Sequence, residues 1–92
     1  MRRPKVEFQE TPNPSAGKFT VDRVLLEGRR GMTLVPGDDA AAAPFLQPLL
    51  LDPDVASVFV VADFVTVTKR DRARWAELAP RLTALLREAL PR

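Results

Sequence analysis

The chain has 92 residues, of which 46% are hydrophobic and 28% are charged, and its 14 basic and 12 acidic side chains leave a formal net charge of +2. This length and composition predict one globular domain spanning residues 1–92, and the small charge excess predicts no broad nucleic-acid-binding surface. The chain has no cysteine and no histidine, which excludes thiolate or imidazole ligation of iron–sulfur clusters, zinc or copper, and nucleophilic or acid–base catalysis by those groups. We therefore predict no cofactor, no metal site and no enzyme activity.

The N-terminus is basic and reads MRRPK. It is not followed by the uninterrupted apolar run that a secretory signal needs, and no run in the chain reaches the roughly 18 residues that span a bilayer. We therefore expect a cytoplasmic protein with no membrane partner.

Residues 5–10 form the first predicted strand, in which Val6 and Phe8 alternate with polar side chains and are expected to face the core. The next segment, residues 11–15, places two prolines around Asn13. Each proline fixes its own φ and moves the residue before it away from the helical region, so this segment is predicted to be a stiff connector. Asn13 is either an ordered recognition tip or a turn that sets the register of two strands, and we favour the turn.

A second strand is predicted after the connector, with Phe19, Val21 and then Val24 as its apolar residues. The glycine-containing segment 27–31 predicts a turn that carries two adjacent arginines, and residues 32–35 predict a short third strand.

Residues 40–51 predict a helix because they are rich in alanine and leucine and contain no β-branched residue. Pro44 is compatible with a first helical turn, whereas Pro48 removes a helical hydrogen bond four residues later. We therefore expect a short or kinked helix, which the turn at residues 52–54 ends.

A strand is predicted from Val55, and its apolar side chains at successive positions indicate that it is covered on both faces. A tight reversal at residues 62–63 leads to its antiparallel partner at 64–68, where Thr66 and Thr68 alternate with valines. This hairpin is the clearest pattern in the chain.

The last predicted element is an amphipathic helix, whose apolar residues recur at steps of three and four: Trp75, Leu78, Ala79, Leu82, Leu85, Leu86, Ala89 and Leu90. Pro80 lies within it, so we expect either a kink at residues 76–79 or a new helix start at Pro80. Asp71 is expected to cap this helix, and Trp75 to anchor the core. The element order β-β-(β)-α-β-β-α predicts an α+β fold, a two-layer sandwich of a mostly antiparallel sheet with two helices on one face.

Three short groups of residues, here called patches, occur one after another along the chain. The first is TPNP at residues 11–14, followed after three residues by Lys18 and Phe19; the second comprises Pro44, Leu49, Val55, residues 57–59 and residues 63–69; the third comprises Trp75, Leu78 and Pro80. Together they resemble the N-terminal domain of the Nfu/NifU-like iron–sulfur cluster scaffold proteins. The chain departs from that pattern at three positions, where a larger apolar residue, a glycine and an uninterrupted helix are more usual: Gly17, Asp54 and Pro48.

The resemblance implies a role in iron–sulfur cluster assembly, but in that family a Cys-x-x-Cys pair on a separate C-terminal domain holds the cluster. With no cysteine, this chain is expected to be a non-catalytic accessory module that contacts an iron–sulfur scaffold or a client protein. The residues predicted to bind that partner come from the matching patches: Thr11, Pro12, Asn13, Pro14, Lys18, Phe19, Asp63, Phe64, Thr66, Thr68 and Lys69.

The alternative function is that of a small basic nucleic-acid-binding protein. Residues 69–74, KRDRAR, form a dense basic cluster that, with Arg29, Arg30 and the basic N-terminus, could contact phosphates. The cluster lacks interleaved aromatic residues for base stacking, and Asp71 dilutes its charge. The acidic pairs at residues 38–39 and at 52 and 54 lack the ligand pattern of a calcium loop and are interpreted as turn residues.

Overall fold

The structure is a computed structural model that describes residues 4–28 and 30–90. The first three residues of the basic N-terminus and Arg29 of the predicted turn lie outside these ranges. In chain order, the elements are β1 (Val6–Glu10), β2 (Ala16–Val21), β3 (Met32–Leu34), a 3₁₀ turn (Pro44–Leu46), α1 (Gln47–Leu50), β4 (Val55–Val61), β5 (Phe64–Lys69) and α2 (Trp75–Ala89). The predicted order of elements and the α+β class are confirmed.

The five strands form one antiparallel sheet in the order β1-β2-β5-β4-β3. Two hairpins, β1–β2 and β4–β5, therefore lie side by side, and β2 pairs with β5 at their junction. The short strand β3 extends the sheet beyond β4 and forms one edge, while β1 forms the other.

One face of the sheet and both helices enclose the core. Successive side chains of a strand point to opposite faces, and the buried set occupies one face only. On that face the strands contribute Phe19, Val58, Val60, Val65 and Val67, and the helical side contributes Leu46, Leu49, Leu78, Leu82 and Leu86, all less than 2% exposed. The opposite side of the sheet, here called the open face, has no helix packed against it in the described ranges.

The first helical region is shorter than residues 40–51. A 3₁₀ turn begins at Pro44, and α1 begins at Gln47 with Pro48 in its first turn. Each proline thus occupies a position where no helical hydrogen bond from its nitrogen is required. The prediction of a short helix is confirmed, whereas the alanines at 40–43 form a turn before it.

Helix α2 is continuous through Pro80 and does not restart there. Leu78 and Leu82, which flank the proline, are both buried, so core packing on either side compensates for the missing hydrogen bond. The expected cap was wrong: the helix begins after Arg74, and no side chain caps it. Trp75 is buried, as expected of a core anchor.

Two further expectations need correction. The expectation that β4 is covered on both faces was wrong, because Phe59 points to the open face and is 37% exposed. Val24 is 65% exposed and lies beyond the end of β2, since the chain leaves the sheet after Val21. In both cases the apolar residue faces solvent because no helix reaches it.

Candidate protein-docking surface

Four of the predicted partner-binding residues lie on the open face along two adjacent central strands. Lys18 belongs to β2, and Phe64, Thr66 and Thr68 belong to β5. Each is half-buried, because neighbouring side chains cover part of it and no helix covers the rest. We call these four residues the β2–β5 strip.

The register of the sheet continues this strip to both sides. Lys18 is opposite Thr66, which in turn is opposite Phe59 on β4. In the next row, Phe64 is opposite Val61. Directly opposed side chains in an antiparallel pair contact each other, so Phe59 and Val61 of β4 form a partly exposed apolar surface together with Phe64 of the strip.

Lys18 lies over the ring of Phe64, with its Nζ atom 4.4 Å from the ring centroid. This cation–π contact contributes on the order of 0.5–1 kcal/mol at an exposed site. It also places the ammonium group beside the surface of the sheet. The strip therefore combines one positive charge, an aromatic ring and two hydroxyl groups.

The proline-containing loop, residues 11–15, closes the β1–β2 hairpin at one end of the strip. The amide N–H of Ser15 donates to Oδ1 of Asn13 at 3.0 Å, and the N–H of Asn13 donates to the Thr11 hydroxyl oxygen at 3.2 Å. The Thr11 hydroxyl lies 3.0 Å from the carbonyl oxygen of Ala16, across the hairpin. Asn13 thus shapes the turn that sets the register of β1 against β2, in agreement with the favoured interpretation.

The rest of the molecule fixes this loop at two points. The Lys69 N–H donates to the Ser15 carbonyl oxygen at 2.8 Å, and Nε1 of Trp75 donates to the Pro14 carbonyl oxygen at 3.0 Å. The predicted residues Thr11–Pro14 and Lys69 therefore lie close together at the end of the strip where Thr68 is opposite Ala16.

Asp63 lies at the other end, in the tight turn of the β4–β5 hairpin. The turn is made by Ala62 with a φ of 51°, and the Asp63 carbonyl oxygen accepts a hydrogen bond from Val21 at 2.8 Å. The predicted partner-binding residues other than Phe19 thus lie along the β2–β5 strip or at its two ends. Phe19 is the exception to the prediction: it is fully buried on the other face of the sheet and has no exposed surface that a partner could contact.

Sequence reasoning missed an ion-pair cluster on the helical side of the molecule. Arg81 Nε donates to Asp52 Oδ2 at 2.7 Å, and Arg81 Nη2 donates to Asp52 Oδ1 at 3.0 Å and to Asp54 Oδ2 at 2.8 Å. Burial disfavours the charged form of Asp52, but hydrogen bonds from the Arg81 guanidinium and from the Asp54 amide outweigh it, so the pKa of Asp52 lies below its ordinary value. No spacing rule relates residues 52 and 81, so only the folded structure shows this contact.

The same cluster occupies part of the predicted basic segment. Arg72 Nε donates to Asp54 Oδ1 at 3.3 Å, and Arg70 Nε donates to the Pro53 carbonyl oxygen at 3.1 Å. These guanidinium groups bond to the loop before β4, so part of their hydrogen-bonding capacity is already used. The geometry therefore weakens the nucleic-acid alternative.

The donor atoms needed to hold an iron–sulfur cluster are missing from this chain. The sequence has no cysteine and no histidine, and in the described ranges no three or more acidic side chains come close enough to form a metal site. An iron–sulfur cluster therefore does not fit the residues present. Among the same residues, no helix has the length and apolar character that crossing a bilayer requires.

Comparison with known proteins places these features in context. A family model described as the N-terminal part of scaffold protein Nfu/NifU matches residues 6–92. The NFU1 iron–sulfur cluster scaffold homolog, mitochondrial, of Drosophila erecta is 31% identical over 81 residues, and NifU-like protein 5, mitochondrial, of Arabidopsis thaliana is 33% identical over 82 residues. In both cases the match covers 88% of this chain and 29% of the relative, so the chain spans about three-tenths of the length of these curated relatives.

Solved structures show the same fold. The crystal structure of protein SAV1430 from Staphylococcus aureus superimposes with a TM-score of 0.76 at 33% identity, covering 88% of this chain and 96% of that one. A NifU-like protein from Saccharomyces cerevisiae, solved by NMR, gives a TM-score of 0.73 at 23% identity over 96% of this chain and 79% of that one, which supports the fold alone. With the family match extending over nearly the whole sequence, the chain belongs to the Nfu/NifU N-terminal family.

Proposed function

We propose that this chain is a non-catalytic accessory module in iron–sulfur cluster assembly or delivery, which acts through protein–protein contact and does not itself hold the cluster. The observation that carries the proposal is the family match over residues 6–92 in a sequence without cysteine or histidine. The cluster is cargo held by another polypeptide, and this domain contacts the protein that gives or receives it.

The β2–β5 strip supports a protein partner. It combines the Phe64 ring with the hydroxyl groups of two threonines, and Lys18 provides a positive charge that lies over the ring. Such a surface fits a partner that presents an apolar patch with an acidic residue, since aromatic rings and charge complementarity contribute most to specific contacts. The partner class is a scaffold that carries a cysteine pair, or a client apoprotein awaiting its cluster.

The chain has no thiol, imidazole or phenol group, which supports a role that does not involve catalysis. A cytoplasmic location stays a prediction, because the curated relatives described above carry the word mitochondrial in their names, whereas a structural relative comes from a bacterium.

The test is a cluster-transfer assay. A cluster-loaded Cys-x-x-Cys scaffold is mixed with an apo-client in the presence and absence of this protein, and transfer is followed by circular dichroism of the cluster while association is measured by calorimetry. We expect association and a changed transfer rate. Reversal of the central charge in Lys18→Glu should weaken association by about tenfold or more, because the variant places a negative charge where an acidic partner would dock.

The matched control is Glu88→Arg, which changes an exposed charge on α2 away from the strip. Association with neither scaffold nor client, together with an unchanged transfer rate, would contradict the proposed function. Association that is equally strong in the Lys18→Glu variant would contradict the assignment of the surface.

A further inference from the structure

The sheet has two edges of different character. Strand β3 offers three residues, whereas β1 offers five, and β1 pairs with β2 alone. A strand at an edge presents unpaired backbone groups that can bind another strand. The longer edge of this molecule is therefore β1.

The pairing with β2 fixes which backbone groups of β1 point outward. The Asp22 N–H donates to the Lys5 carbonyl oxygen at 3.2 Å. Because bonded and non-bonded positions alternate in an antiparallel pair, the odd-numbered residues of β1 bond to β2, and Val6, Phe8 and Glu10 direct their N–H and C=O groups to the open edge. Within the described part of the chain, none of these groups has a partner.

An apolar groove lies beside this edge on the helical side. Phe8 and Pro80 lie at its centre, Glu10 and Ala76 at one end, and Ala84 and Arg87 at the other. From Ala76 to Arg87 the helix rises about 16 Å, and a five-residue strand extends about 17 Å, so the groove matches the length of β1. The two ends carry opposite charges.

We propose that β1 is a self-association site, at which β1 of a second copy pairs antiparallel to it with Phe8 opposite Phe8. Residues with outward backbone groups then face each other, and each of the three opposed pairs exchanges two backbone hydrogen bonds. The result is a continuous ten-stranded sheet with two-fold symmetry, which closes as a dimer.

Charge complementarity identifies a second copy as the occupant. In this register Glu10 of the second copy lies opposite Val6, at the end of the groove that carries Arg87, and the symmetry repeats the ion pair. On the open face Glu7 lies opposite the neutral Gln9 of the second copy, so no like charges are directly opposed. A glutamate on an edge strand normally hinders strand pairing. Glu10 therefore favours pairing with a strand whose own chain supplies a nearby cation, as a second copy does with Arg87.

This inference goes beyond the proposed function and does not depend on it. The experiment is sedimentation velocity on the full chain across a micromolar to millimolar concentration series. We expect a reversible monomer–dimer equilibrium. Glu10→Arg and Arg87→Glu should each raise the dimer dissociation constant by about tenfold or more, because each places like charges together at two symmetric sites.

The double variant Glu10→Arg, Arg87→Glu restores opposite charges and should return the dissociation constant towards that of the parent. Glu88→Arg, the adjacent exposed residue on α2 outside the groove, is the matched control and should not change it. Hydrogen exchange supplies a separate readout, since the amides of Val6, Phe8 and Glu10 should become protected as the concentration rises.

Three results would overturn the proposal. The first is a parent chain that stays monomeric across the series. The second is a dimer that persists unchanged in both single variants, and the third is a dimer that forms without protection of the three β1 amides. Circular dichroism of each variant confirms that a lost dimer reflects the interface and not unfolding.

Discussion

Trp75 of α2 donates its indole N–H to the carbonyl oxygen of Pro14, 3.0 Å away, across 61 positions of sequence. This bond joins the loop that closes the first hairpin to the helix that completes the fold. The same indole packs near Phe8 and Phe19, with ring centroids 5.1 and 6.2 Å from its own. Trp75 is thus both a core residue and the anchor of the proline-containing loop.

Trp75→Phe should keep most of the aromatic packing and lose the hydrogen bond. We expect the free energy of unfolding to fall by about 1–2 kcal/mol, because the Pro14 carbonyl loses its donor and some ring volume is lost. Urea denaturation followed by circular dichroism measures the change. Amide exchange should also speed up in residues 11–15 more than at the β4–β5 turn, and equal rates at both places would contradict the anchoring role.

The Asp52–Arg81 pair should make stability depend on pH. The folded-state pKa of Asp52 is lowered, so its stabilisation is fully present above the unfolded-state value of about 3.9 and is lost as the pH falls through the lower folded-state value. Asp52→Asn should lower the free energy of unfolding at neutral pH by about 1–3 kcal/mol, a range discounted because the Arg81 side chain is 44% exposed.

Chemical denaturation at pH 7 and at pH 2–3 checks this expectation. The difference between parent and Asp52→Asn should shrink in acid, because the Asp52 carboxylate is protonated as the pH falls through its lowered folded-state pKa. Asp71→Asn, at an exposed position that makes no ion pair with another described residue, serves as the control. A difference that stays constant with pH would show that the carboxylate charge is not the cause.

Gly17 has a steric role that its strand position does not reveal. A Cβ atom there would lie 2.5 Å from Phe8 Cε1 and 2.9 Å from the Trp75 ring. Gly17→Ala should therefore destabilise the fold by about 1–3 kcal/mol through overpacking. In Phe8→Leu the same glycine substitution should cost less, and thermal unfolding of the four variants gives the coupling energy; additive effects would exclude a clash between the two side chains.

Nucleic acid should bind weakly at most. Arg70 and Arg72 already donate to Pro53 and Asp54, so the dense basic segment has fewer free guanidinium groups than its sequence suggests. Fluorescence anisotropy with labelled single-stranded and duplex DNA over a salt series should show no binding at physiological ionic strength. Submicromolar binding that weakens steeply with salt would revive the alternative function.

Local sequence patterns predicted most of the helices and strands because these elements are determined by residues close together in sequence. Strict alternation located β5, the step of three and four residues located α2, and the turn chemistry of Asn13 predicted the first hairpin. Pro44 and Pro48 correctly indicated a short first helix, since a proline restricts its own backbone whatever surrounds it.

The sequence-based predictions were wrong where contacts between residues far apart in sequence determine the structure. The exposure of Phe59 depends on which sheet face the helices cover, and the pattern of β4 is apolar on both faces. The family pattern predicted that Phe19 belongs to a partner-binding surface, whereas the side chain is fully buried beneath the sheet. The contact between Asp52 and Arg81 spans 29 positions and leaves no periodic trace.

The pairing of β2 with β5 also has a kinetic consequence. The β4–β5 hairpin and α2 are contiguous in sequence, whereas the β1–β2 hairpin must close a loop of more than 40 residues before it docks. Loop closure of this length delays non-local strands, so the C-terminal half should assemble first and the N-terminal hairpin should join it late. On a ribosome, the hairpin that emerges first would therefore wait for the last strand of the sheet before it reaches its place.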